Sequence, residues 1–98
     1  MQKTKRAYVY MLTKDFGNVL YIGSTEELRT RIIQHKEGLI PGFTQKYKVK
    51  KLVYFEEHPD VVSAEVREKQ LKGKSRAKKN KIVESINPQW NDLSSSAL

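Results

Sequence analysis

Cysteine is absent from this 98-residue chain. That excludes a disulfide framework, a thiolate nucleophile and a cysteine-ligated zinc, so a metal would have to be held by carboxylate, imidazole, hydroxyl or water. Long hydrophobic runs are also missing. The longest, such as Leu52 to Phe55, fall far short of the roughly 20 residues that cross a bilayer. Met1 to Arg6 has no apolar region behind it, so no secretory leader is expected and the expected location is the cytoplasm, with no membrane partner. The five glycines are dispersed and form no phosphate-binding loop, and the two histidines lack the spacing of zinc hydrolases. Serine-triad chemistry has no support in the sequence.

Acidic residues are scarce relative to basic ones. Nineteen Lys and Arg against eleven Asp and Glu leave a net charge of +8, which calls for a polyanionic partner, nucleic acid before an anionic membrane surface. Hydrophobic residues make up 38% of the chain, enough for one small core and one domain. The expected organisation is a flexible basic arm over 1–6, a domain over 7–93 and a disordered Ser-rich tail over 94–98.

The run A-Y-V-Y-M-L over 7–12 predicts a strand, residues 14–18 a tight reversal, and residues 19–22 a second strand ended by Gly23. Ser24-Thr25-Glu26-Glu27 carries a capping-box pattern, opening a helix from about 25 to 36. Residues 38–50 read as a basic loop with Phe43 and Tyr47, able to close over a ligand, because their Gly and Pro content opposes a regular element. A third strand over 51–57 is expected to be central, being apolar on both faces. Helices follow over 61–72 and 75–86, broken by Gly73 and ended by Pro88. The order β-β-α-β-α-α gives an α+β fold with a small three-stranded antiparallel sheet flanked by helices.

Several polar residues interrupt this pattern. In the first helix Leu28, Ile32 and Leu39 form the expected buried stripe, with His35 projecting between them and Arg31 at its edge. The plain explanation is a satisfied core histidine and an Arg31–Glu27 pair one turn apart. In the next helix Glu68 falls within the stripe of Val61, Ala64 and Leu71. An unpaired buried carboxylate costs several kcal/mol, so Glu68 must meet Lys72 or Arg67, bind a cation, or face a wet cleft. Lys69, Lys72, Lys74, Arg76, Lys78, Lys79 and Lys81 form a block of seven basic residues with no acidic one. It is either a solvated surface or a nucleic-acid-binding strip, in which case affinity falls with salt by a log–log slope of about 0.9 per phosphate contact.

Tyr8-Val9-Tyr10 and Tyr21-Ile22-Gly23, followed by Ser24-Thr25, Leu28, Arg31 and His35, resemble the GIY-YIG nuclease superfamily. The resemblance continues through Phe43-Thr44-x-x-Tyr47, Leu52-Val53-Tyr54-x-Glu56, Ala64-x-x-x-Glu68-Lys69-x-Leu71-Lys72-Gly73 and Asn87-Pro88-x-Trp90, nearly the whole chain. It is similar to small stand-alone bacterial members related to the N-terminal nuclease domain of the excision-repair endonuclease. Tyr8 stands where the name-giving motif has Gly, and Val9 where it has Ile. The resemblance implies phosphodiester hydrolysis in DNA, on a branched or damaged duplex, with one Mg²⁺ or Mn²⁺ ion on Glu68. It further implies Tyr10 and Tyr21 facing each other at the cleavage site, Arg31 on the scissile phosphate, His35 assisting proton transfer, and Gly23 and Asn87 at the site's rim. A separate protein partner would supply specificity. The competing expectations are a non-catalytic nucleic-acid-binding module on the same scaffold and a basic protein-interaction domain.

Overall fold

The computed structural model describes residues 6–14 and 19–97. Strand β1 (Ala7–Thr13) pairs antiparallel with β2 (Leu20–Thr25) on one side and β3 (Lys51–His58) on the other, giving the order β2-β1-β3. Helices α1 (Leu28–Lys36) and α2 (Phe43–Tyr47) lie between β2 and β3 in the chain. Helices α3 (Val61–Lys72), α4 (Arg76–Ile86) and α5 (Ser94–Ala97) follow. The fold is therefore the expected α+β sheet with flanking helices, extended by two short helices. Among the described residues no helix is long and apolar enough to cross a membrane.

Alternation along β1 separates two apolar layers. Ala7, Val9 and Met11 join Ile22, Ala64, Leu71 and Val83 on the α3 and α4 side, whereas Tyr10 and Leu12 join Leu28, Ile32, Val49 and Leu52 on the α1 side. β1 is thus the central strand, not the third strand expected from its apolar run. β3 is an edge strand that is apolar because helices cover one face and the C-terminal segment, through Leu93 and Ala97, packs against the other. A bulge between Met11 and Leu12 places both Val53 and Tyr54 in the α3-side layer.

Four further expectations are corrected. Gly23 does not end β2 but lies inside it, opposite Tyr10. The α1 stripe is Leu28, Ile32 and His35, because the helix stops at Lys36 and Gly38 at φ 69° turns the chain away, leaving Leu39 64% exposed. The segment expected as an irregular loop contains α2, held by the burial of Thr44 and Val49. Ser94–Ala97 forms a helical turn instead of a disordered tail, since the Asp92 carboxylate accepts from the Ser94 N–H at 3.0 Å and Leu93 N–H donates to the Leu52 carbonyl at 2.7 Å. The expected arm and reversal fall largely on 1–5 and 15–18, outside the described residues; Arg6 pairs with Glu57 at 2.9 Å.

Two polar anchors lock the helices onto β3. Glu56 accepts from Tyr54 Oη at 2.5 Å and from Arg67 Nε at 2.9 Å, which ties α3 to the strand. Asn87, 3% exposed, donates to the Val53 and Asn91 carbonyls, both at 2.9 Å, and accepts from the Asn91 N–H at 3.0 Å. This makes Asn87 a brace between the end of α4, β3 and the C-terminal segment. Removing it leaves buried backbone groups without partners, so Asn87→Ala should lower unfolding free energy by about 2–3 kcal/mol. Urea denaturation measures this, and a midpoint unchanged from wild type would contradict the brace.

Candidate active site

β2 is an edge strand, and the polar residues singled out in the sequence gather around that edge from both faces of the sheet. On the α1 face, Tyr10 of β1 runs beneath α1 and its hydroxyl lies 3.0 Å from His35 Nε2. A Cβ built on Gly23 would sit 2.6 Å from that hydroxyl oxygen. The tyrosine therefore takes the space that any side chain at position 23 would fill. His35 Nδ1 in turn lies 3.0 Å from Thr44 Oγ1 of α2. Both Tyr10 and His35 are at most 2% exposed. The Tyr21 ring, half-buried, stands 6.2 Å from Tyr10 and 5.6 Å from His35 between centroids.

On the α3 face, Ser24 of β2 points toward Glu68 and donates to its Oε1 at 2.5 Å, while Lys72 Nζ donates to Oε2 at 2.5 Å. Ser24 thus serves the carboxylate, not the helix start expected of it. Thr25, the last residue of β2, accepts from the Glu27 N–H at 3.0 Å in the turn that leads into α1, which opens at Leu28 and not at the expected residue 25. The expected alternative for Glu68, a pair with Lys72, is present, yet the carboxylate is not on a solvated face: its side chain is only 20% exposed. Arg31 joins the two sides. Although it belongs to α1, it lines a hollow of about 210 Å³ together with Ser24 of β2 and Ala64 and Glu65 of α3.

The electrostatics follow from this placement. Burial pushes the Tyr10 hydroxyl well above the ordinary phenol range and the nearby Tyr21 adds to the effect, while Arg31 opposes both and Glu68 reinforces them. The lowering by Arg31 is outweighed by desolvation at Tyr10. His35 is lowered to about 4, first by burial and then by the Arg31 charge. It is neutral at pH 7, with one ring N–H. Desolvation alone would raise Glu68, but bonds from Lys72 and Ser24 outweigh it and hold the carboxyl below its usual range, so Glu68 is ionised.

Tyr10, Tyr21, Arg31, His35, Glu68 and Gly23 are thus brought together, whereas the contacts of Asn87 brace the fold. Of the basic block, Lys69, Lys78 and Lys81 are exposed on α3 and α4, but the Lys72 ammonium is engaged by Glu68. Two contacts escaped the sequence reading: the bond of Ser24 to Glu68 was passed over in favour of helix capping, and that of Thr44 to His35 was hidden in an apparent loop. No group of three or more His, Asp or Glu side chains converges among the described residues, so a cage for zinc or iron does not fit. One ionised carboxylate beside a hydroxyl does fit a hydrated magnesium-type cation, which binds through few protein oxygens and retains its waters. Lys72, whose side chain is 54% exposed, competes for the same carboxylate.

Two outcomes follow from the buried core of the site. Because His35 titrates lower in the folded chain than the ordinary 6.5, the unfolded chain binds the extra proton first as pH falls. Stability should be complete above pH 6.5 and decline toward pH 4, by at most about 3 kcal/mol. His35→Gln should flatten that part of a thermal-melting profile, and an equal slope in both proteins would contradict a buried neutral imidazole. Gly23→Ala should force Tyr10 off His35 at a cost of about 1–3 kcal/mol, detected as lower urea stability and a changed Tyr10 ultraviolet spectrum; neither change would mean that the close approach is absent.

Comparison with known proteins gives a consistent picture. The sequence model described as the GIY-YIG catalytic domain matches residues 6–81. The chain is also similar to the solution NMR structure of a UPF0213 protein from Bacillus halodurans, at 28% identity and a TM-score of 0.57, with 89% of this chain and 92% of that one covered. No curated protein matches.

Proposed function

The chain belongs to the GIY-YIG catalytic-domain family, a family of nucleases, and from that premise we propose that it is a metal-dependent DNA endonuclease whose centre lies at the edge of β2. The observation that carries this reading is the buried Tyr10–His35 pair, with the charges of Arg31 and Glu68 both acting on the same tyrosine hydroxyl. The expected substrate is branched or damaged duplex, cut one strand at a time, in the cytoplasm and with specificity helped by a partner.

Hydrolysis of a phosphodiester needs a positioned water, a route for its proton and cationic stabilisation of the developing charge. Arg31 presents a permanently charged planar fork to the non-bridging oxygens. Tyr10 is held as a phenol by burial, and in the tautomer this reading takes it donates to His35 Nε2 while the imidazole N–H at Nδ1 donates to Thr44 Oγ1. Tyr21, the more exposed ring, meets the water. In this reading Tyr21 orients the water and relays its proton to solvent in exchange for its own, while the Tyr10–His35 pair, whose imidazole is too weakly basic to keep a proton at pH 7, holds the site in place. Glu68 and the Ser24 hydroxyl would hold one Mg²⁺ or Mn²⁺ ion, which supplies Lewis-acid stabilisation of the leaving oxygen. Lys78, Lys79 and Lys81 give the backbone of a longer substrate a cationic track.

The engagement of Glu68 by Lys72 and Ser24 favours one second reading, a nucleic-acid-binding module that keeps the scaffold without catalysis. A plasmid-nicking assay separates the two. Wild type should nick supercoiled DNA with Mg²⁺ or Mn²⁺ and stop in EDTA. Arg31→Ala and Glu68→Gln should each lower the rate by about 100-fold or more while melting within a few degrees of wild type. Equal residual cleavage in all three proteins would refute the nuclease centre, and no cleavage with undiminished Glu68→Gln binding would favour the module.

A further inference from the structure

Large apolar side chains exposed to water need a reason when they cluster beside a polar cleft. Phe43 is 47% exposed and Tyr47 41% exposed, on the outer side of α2. Their rings are 4.9 Å apart between centroids, and Phe43 is stacked on Tyr21 at 6.3 Å with an interplanar angle of 21°. An aromatic row therefore leads from the buried Tyr10, through Tyr21, to solvent. Lys46 lies 5.4 Å over the Tyr47 ring, and Lys46, Lys48 and Lys50 are all exposed along the same segment.

The row is fixed to the site by the same short helix. Thr44, on the inner side of α2, is 4% exposed and bonded to His35, while Phe43 and Tyr47 flank it on the outside. Val49 is fully buried just beyond, and Gln45 Nε2 donates to the Gly38 carbonyl at 2.7 Å. A segment that needed only to orient His35 has no use for two exposed rings under a row of lysines. Flat π faces interleaved with cations suit a nucleic-acid strand whose bases are unpaired, because a paired base has both faces covered by its neighbours.

We propose that Phe43 and Tyr47 form a stacking platform for an unpaired base next to the phosphodiester bound at Tyr21 and Arg31, with Lys46, Lys48 and Lys50 following the strand's phosphates. The substrate class is then nucleic acid that is single-stranded, or locally opened, beside the cleaved bond. This rests on the nuclease reading for the position of the bond but not for the existence of the platform.

The test is fluorescence anisotropy in EDTA, where no hydrolysis occurs, with three labelled DNA probes: a short single strand, the same strand with abasic sugars in place of bases, and a blunt duplex. Wild type should bind the intact strand more tightly than the abasic one. Phe43→Ala and Tyr47→Ala should each weaken intact-strand binding by roughly five- to thirty-fold, and leave abasic and duplex binding within about two-fold. Phe43→Leu, which keeps apolar bulk without a π face, should behave like Phe43→Ala, and Phe43→Trp should restore affinity. Equal affinity of wild type for intact and abasic strands, or parallel losses on all three probes, would overturn the proposal. Base-dependent binding without nicking activity would leave the platform standing and remove the nuclease reading. Nicking that depends on Arg31 and Glu68 but is accompanied by base-independent binding would do the reverse.

Discussion

The contact on which the rest of the site depends is the hydroxyl of Tyr10 resting over Gly23 and meeting His35 at 3.0 Å. It fixes three elements at once. β1 must pair with β2 in the register that sets Tyr10 opposite Gly23, α1 must end its buried stripe in a histidine instead of a hydrophobe, and α2 must supply Thr44 to the imidazole's other nitrogen. A residue with a Cβ at position 23, or a one-residue slip of β2, would disrupt all three.

Location at a sheet edge explains how so small a chain assembles several charged groups without burying them unpaired. Helices α1 and α3 cover opposite faces, and each delivers side chains to the rim of β2, where Arg31 and Glu68 keep access to water while Tyr10 and His35 sit behind them in the core. The gradient has chemical consequences. Burial holds the phenol protonated and the imidazole neutral, whereas two hydrogen bonds keep the carboxylate ionised despite partial desolvation. The exposed rings of α2 extend the same series outward, so one row runs from a dry hydroxyl to a surface open to a strand.

Much of this was legible in the sequence, and the failures have physical causes. Strand-prone and apolar runs revealed β1, β2 and β3, and cap and breaker signals placed α3 and α4, while Arg31, His35 and Glu68 stood out as polar side chains on or beside apolar stripes. Strand order was not legible, because an apolar run reports burial of both faces and not the number of hydrogen-bonded neighbours: β3 is covered by helices and by Leu93. α2 was hidden for a related reason. So short a helix, following Pro41 and Gly42, has no helical signal of its own, and Thr44 becomes informative only once His35 lies above it. Ser24 suited two tasks, helix capping and carboxylate support, and local pattern favoured the nearer partner over one 44 residues away.

The proposed role of Glu68 is to hold a divalent cation at the rim of β2, close enough to serve the tyrosine–histidine pair. Paramagnetic broadening by Mn²⁺ in solution NMR reads that proximity without reference to cleavage. Substoichiometric Mn²⁺ should broaden the side-chain signals of Tyr21, Arg31 and Tyr10 before those of Trp90 or Tyr54, and Glu68→Gln should abolish the selectivity. Broadening centred elsewhere, or unchanged in Glu68→Gln, would contradict the account.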